Sequence, residues 1–129
     1  MVGSVKKILV IEDEHFLLNF WEAKLDSLYY QVFKSLDGAK GLVLARSKSP
    51  DLILLDILMP RLDGYEVLIR LKKSKKTKDI PVIILSNLSQ QEEIEKGIRL
   101  GAIDFIVKAD VIPSEVETKI EKYLKINKK

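Results

Sequence analysis

The sequence predicts an α/β domain of three layers, a doubly wound five-stranded parallel sheet with helices on both faces, and three observations carry the prediction. Short apolar runs without polar alternation recur along the chain, as strands buried on both faces require. Segments of helical period separate these runs. The two signals alternate from one end of the chain to the other, and right-handed crossovers then place every helix against one parallel sheet.

Residues 8–11, Ile8-Leu9-Val10-Ile11, read as the first strand. Leu17, Leu18, Trp21, Leu25 and Leu28 follow at three- and four-residue steps and form the apolar stripe of a first helix, with Trp21 and Leu25 assigned to core packing. Val32-Phe33 mark a second strand, and residues 39–47 a short second helix. Leu52-Ile53-Leu54-Leu55 is a third strand that runs into a loop containing Pro60 and Gly64, after which residues 64–73 take helical period. Residues 82–85 are the fourth strand and 88–100 the fourth helix, with Gly101 suited to a left-handed C-terminal cap. Residues 105–107 form the fifth strand. Ile112, Val116, Ile120 and Leu124 mark the last helix, whose first turn accepts Pro113.

A chain of 129 residues fits one compact domain with a real core. Cysteine is absent, so disulfides and thiolate metal sites are excluded, and no 18-residue apolar stretch or signal-type apolar segment appears. A cytoplasmic protein without a membrane partner is the expectation. The net charge of +3 is small. Its basic excess lies in residues 72–78 and in the tail 125–129, where solvated helix ends account for it, so no direct nucleic-acid contact is expected. Residues 1–5 read as a disordered terminus or cloning scar, 6–125 as the domain, and 126–129 as a basic tail.

The polar residues that break the apolar pattern stand at strand ends. Glu12 and Asp13 follow the first strand, Asp56 the third, Ser86 the fourth and Lys108 the fifth. In strand order 2-1-3-4-5 the first and third strands are neighbours at the switch point, so these side chains converge on one crevice. Carboxylates a few ångströms apart repel unless a cation sits among them, and hard oxygen donors suit Mg²⁺ or Mn²⁺. With the metal held by Asp13 and Asp56, the free oxygen of Asp56 is placed to attack a phosphoryl group whose charge is shared by the metal, Lys108 and Ser86. Structural roles compete with each assignment. Asp56 is also a loop cap, Glu12-Asp13 a cap for the first helix, Ser86 an N-cap for the fourth, and Lys108 an ordinary surface lysine. His15 reads as a partly exposed first-turn residue.

With Ile11-Glu12-Asp13-Glu14, the run from Asp56 to Met59-Pro60 and Asp63-Gly64, Ile80-Pro81 through Ser86, and Gly101 through Phe105 to Lys108, the chain resembles the receiver domain of two-component response regulators, a flavodoxin-like (CheY-like) fold. The resemblance covers residues 6–125 and implies a role for each position. Asp56 is implied as phosphoacceptor from a histidine kinase, a phosphotransfer protein or a small phosphodonor. Asp13 is implied as a metal ligand, Glu12 as the holder of metal-bound water, and the backbone carbonyl of Leu58 as a further ligand. Ser86 would grip a phosphate oxygen, Lys108 would pair with the phosphate, and Phe105 is the switch aromatic. The output partner would be met through the fourth helix, fifth strand and fifth helix, by a monomer or a weak phosphorylation-dependent dimer. Leu58 and Leu88 would flank the path of hydrolytic water.

Three positions depart from the family's commonest pattern. Ala109 stands where Pro usually follows the lysine in a cis peptide; a non-Pro cis bond costs about 3 kcal/mol, so a trans bond and a differently aimed Lys108 are expected. Asn87 is bulkier than the usual Ala or Gly and narrows the donor's path. Phe105 lacks the hydroxyl of the frequent Tyr. Two other functions fit less of the pattern. A phosphorylation-independent pseudo-receiver draws on Asn87 and Ala109, and a phosphohydrolase with an Asp nucleophile would place a second Asp where Leu58 stands.

Overall fold

A computed structural model describes residues 5–27 and 29–125. The readings of Leu28 as the last residue of the first apolar stripe, of residues 1–4 as a scar and of 126–129 as a tail lie outside the described residues. The elements run β1 Lys6–Ile11, α1 His15–Leu25, β2 Tyr30–Ser35, α2 Gly38–Lys48, β3 Leu52–Leu55, α3 Gly64–Lys73, β4 Val82–Ser86, α4 Gln91–Arg99, β5 Asp104–Val107 and α5 Pro113–Leu124, with a single 3₁₀ turn at Lys108–Asp110. All five strands are parallel, in the order β2-β1-β3-β4-β5, as predicted. Among the described residues no helix is long and apolar enough to cross a membrane.

Strand alternation divides the core into two layers. Leu9, Ile11, Ile53, Leu55, Val82 and Ile84 point to the face covered by α2 and α3, where they meet Leu42, Ala45, Val67, Leu68 and Leu71. Ile8, Val10, Leu52, Leu54, Ile83 and Leu85 point to the other face and pack on α1 and α5 through Leu18, Trp21, Leu25, Val116 and Ile120. Two buried faces explain why these strands are continuous apolar runs.

Several boundaries differ from the sequence reading. β2 is six residues long rather than the pair Val32-Phe33, because its exposed Gln31 and half-buried Lys34 hide an edge strand from an apolar count. α2 is one residue longer at each end, with Asp37 as N-cap accepting from the Lys40 N–H at 2.7 Å. The fourth helix begins at Gln91 rather than at residue 88 and ends at Arg99. Its N-cap is Gln90, whose N–H donates to the Glu93 carboxylate at 3.4 Å, so Ser86 does not cap it. Gly101 closes α4 at φ +117°, with its N–H bonded to the Ile98 carbonyl and that of Ala102 to the Gly97 carbonyl, a Schellman arrangement. Pro113 is in the first turn of α5.

The basic run 72–78 is an ordered turn as much as a solvated surface. Lys72 points inward, and its ammonium donates to the carbonyls of Lys78 at 3.1 Å and Ile80 at 2.8 Å. The buried Thr77 hydroxyl donates to the Leu71 carbonyl at 2.7 Å, and the Lys78 N–H closes on Ser74 at 2.8 Å.

α5 is fastened to β5 by Asp104, which accepts from Lys119 Nζ and from the Tyr123 hydroxyl, each at 2.9 Å. Burial opposes ionisation of Asp104, but these two bonds and the Phe105 N–H outweigh it and hold its pKa below the ordinary carboxylate value. A carboxylate so depressed stabilises the fold above its unfolded pKa, and that stability is lost as pH falls through the folded one. Asp104→Asn is therefore expected to cost about 1 kcal/mol at neutral pH, a modest figure because the pair is partly solvated. In urea titrations the difference should shrink toward zero in acid; a difference independent of pH would contradict the ionic account.

Candidate functional site

Sheet register brings the predicted polar residues together. Ile11 pairs with Leu55, so Glu12 and Asp56 leave adjacent strands side by side; the Asp56 N–H still bonds the Ile11 carbonyl at 3.0 Å. Ser86 pairs with Val107, the last residue of β5, which puts Lys108 one step beyond it in the turn that follows. Glu12, Asp56 and Ser86 are buried, and Asp13 is half-buried. Carboxylate oxygens of Glu12, Asp13 and Asp56 lie within 4.8 Å of one another.

Lys108 enters this cluster. Its ammonium is 2.5 Å from Glu12 Oε1 and 3.4 Å from Asp56 Oδ2. Among the described residues there is no cis peptide, so the Lys108-Ala109 bond is trans, as expected. The expectation that a trans bond would aim the side chain elsewhere is not met: the 3₁₀ turn at Lys108–Asp110 still carries the ammonium to both carboxylates. Nor do Glu12 and Asp13 act as helix caps, because Glu14 is the N-cap of α1 and has no side-chain cap bond. Glu12 Oε2 accepts the Glu14 N–H at 3.3 Å instead. Asp56 Oδ1 accepts the Leu58 N–H at 3.3 Å, while the cap of α3 is Asp63.

The electrostatics are those of a site with too much negative charge. Burial pushes Glu12 up to about 7, and the neighbouring Asp56 adds to the rise, although the bond from Lys108 opposes it. Lys108 itself loses solvation, yet its bonds and charges with Glu12 and Asp56 more than compensate and raise its pKa, so it stays an ammonium. Among the described residues one cation, Lys108, thus pairs with two members of a cluster of three carboxylates. An all-oxygen cluster with surplus negative charge fits a hard divalent cation, which would relieve the repulsion that Lys108 leaves unbalanced.

A family model described as the response regulator receiver domain matches residues 8–121. The chain belongs to the response regulator receiver family. Receiver domains are the signalling modules of two-component systems, working with histidine kinases and output domains. The chain is 38% identical over 120 residues to a probable transcriptional regulator, ycf27, of Porphyridium aerugineum, an alignment covering 93% of this chain and 48% of that one. It spans about half the length of such curated relatives. Among solved structures, the receiver domain of Francisella response regulator 1452 is similar at TM-score 0.84 and 29% identity, over 93% of this chain and 97% of that one. A CheY-like receiver domain from Methanospirillum hungatei is similar at TM-score 0.86 and 25% identity, over 95% of each chain.

The other positions singled out in this receiver domain lie around the cluster. Leu58 is exposed and Leu88 half-buried, and Asn87 is exposed. Phe105 is half-buried against α4: a Cβ added to Gly97 would come within 3.1 Å of its ring. His15 is in the first turn of α1 as expected, and it is exposed rather than partly exposed. Two residues escaped the sequence reading. Gly64 lies so close to the β3–α3 loop that an added Cβ would fall on the Asp56 carbonyl oxygen and 2.7 Å from Ile57 Cα. Only its place in the Asp63-Gly64 turn hinted at this. Tyr65 is buried with its hydroxyl bonded to the Glu93 carbonyl at 2.9 Å, and no pattern in the sequence marks it.

Proposed function

We propose that this receiver domain accepts a phosphoryl group on Asp56, with Mg²⁺ bound by the acidic cluster, and thereby switches its affinity for an output partner. The observation that carries the reading is a buried carboxylate at the C-terminal end of β3, with an ammonium 3.4 Å away and two further carboxylates within 4.8 Å. Asp13 and Asp56, with the carbonyl of Leu58, are the residues to hold the metal, and Glu12 to hold water bound to it. The metal would supply charge neutralisation at the phosphoryl oxygens.

The remaining steps belong to this chain's own side chains. An Asp56 carboxylate oxygen attacks phosphorus; the bond from phosphorus to the donor breaks, and its electron pair leaves with the donor, an imidazole nitrogen of a histidine kinase or the acetate of acetyl phosphate. Lys108 exchanges part of its contact with Glu12 for the new phosphoryl oxygens, and Ser86 donates its hydroxyl to another. Phe105, against α4, transmits the change to the face formed by α4, β5 and α5, where the partner would dock. The chain turns over no external substrate beyond its own phosphorylation and dephosphorylation. Intact mass after mixing with Mg²⁺ and acetyl phosphate tests the reading, since a pseudo-receiver gains no phosphoryl group and this protein should gain one that chelator prevents.

The phosphorylated state should be long-lived. Neither Leu58 nor Leu88 can hydrogen-bond a water behind the phosphorus. A Leu58→Asn, Leu88→Glu double variant is expected to lose its phosphoryl group roughly tenfold faster, the worth of about 1.4 kcal/mol in barrier. Decay after donor removal measures it; equal decay in parent and variant would place the control of lifetime elsewhere.

A further inference from the structure

We propose that Tyr65 is a positioning residue that ties the loop carrying Asp56 to helix α4, so that the seating of α4 follows the state of that loop. The proposal rests on the receiver reading for its consequence, but the tether itself is a matter of geometry.

α4 is lightly held. Gly97 is its one buried residue, fitted so closely to the sheet that an added Cβ would lie 2.6 Å from Ile84 Cδ1. Toward its N-terminus the helix is gripped from the side by Tyr65. The Tyr65 hydroxyl donates to the Glu93 carbonyl at 2.9 Å, and the Lys96 ammonium stands 4.3 Å from the ring centroid. Glu93 and Lys96 are one turn apart on α4, so a single buried ring engages the helix at two points.

The other end of the tether is the Asp56 loop. Tyr65 follows Gly64, whose N–H donates to the Ile57 carbonyl at 2.9 Å and which packs so closely on the backbone of Asp56 and Ile57 that an added Cβ would lie 2.7 Å from Ile57 Cα. Asp63 stiffens the joint by capping α3, accepting from the Glu66 N–H at 3.0 Å. Displacement of residues 56–57 must therefore move the first turn of α3, and with it the ring. The ring engages α4, whose one buried residue is Gly97, through Glu93 and Lys96. Coupling of this kind is reciprocal, so loosening α4 at Tyr65 also loosens the loop.

Hydrogen exchange of the parent, Tyr65→Phe and Lys96→Met proteins tests this, with and without Mg²⁺ and acetyl phosphate. Tyr65→Phe keeps the ring and removes only the bond to Glu93. In the unmodified protein its α4 amides and the Gly64 amide should exchange roughly five-fold faster, as loss of one net hydrogen bond implies, with α1 and α5 unchanged. Lys96→Met should give a smaller change at the same places. On phosphorylation the parent should alter its protection at both the loop and α4, whereas Tyr65→Phe should keep the loop response and lose at least half of that at α4. Parental exchange at α4 or at Gly64 in unmodified Tyr65→Phe, or a full α4 response to phosphorylation in it, overturns the proposal. If the parent gains no phosphoryl group, it is the receiver reading that fails, and exchange in the unmodified proteins still decides whether Tyr65 ties loop and helix.

Discussion

Asp56→Asn protein mixed with Mg²⁺ and acetyl phosphate is expected to gain no phosphoryl group, while the parent gains one. The amide has nearly the same shape as the carboxylate and keeps an oxygen to accept the Leu58 N–H now bonded at 3.3 Å, so the loop should survive the change. What disappears is the anionic nucleophile. The variant should also melt no lower than the parent in chelator, because three crowded carboxylates become two and repulsion falls. Phosphoryl addition that persists in Asp56→Asn would sink the assignment. A large fall in melting temperature would count against the crowding that underlies the metal site.

Lys108→Ala should leave the nucleophile in place and slow phosphorylation by roughly 10²–10³-fold, the usual cost of removing one pre-positioned charge from a transferring group. Among the described residues no other basic side chain is within ion-pair distance of Glu12 or Asp56. Without the ammonium, Glu12 loses the bond that opposes its burial and its pKa should move further up, so that a proton takes over part of the neutralisation. Rates of acetyl phosphate labelling at saturating Mg²⁺ measure the effect. Labelling within a few-fold of the parent would show that Lys108 serves only the resting pocket, as partner to Glu12.

The site was legible in the sequence for one reason: a parallel strand buried on both faces leaves an unbroken apolar run, and a charge directly after it is conspicuous. Glu12, Asp56 and Lys108 all sit one residue past such a run, and sheet order then forces them together. β2 was half-legible because Gln31 and Lys34 break the apolar count on an edge strand. The start of α4 was misread through Leu88, an apolar residue that belongs to the loop; the helix itself is mostly polar and begins only after Gln90. Contacts across elements leave no local trace. Nothing around Tyr65 announces that its hydroxyl will meet Glu93, and nothing near residue 109 shows that Lys108 reaches the carboxylates with a trans bond behind it.

The turn at 74–80 bears on how the protein will behave toward proteases. Residues 72–78 are the richest run of trypsin sites in the chain, with five lysines in seven positions. A peptide bond is cut only when the segment around it opens locally into the protease cleft, and here Lys72, Thr77 and Lys78 are engaged in hydrogen bonds to the backbone of the same turn. Native digestion should therefore spare the stretch with the most lysines, and its cleavage should keep pace with global unfolding rather than with local charge.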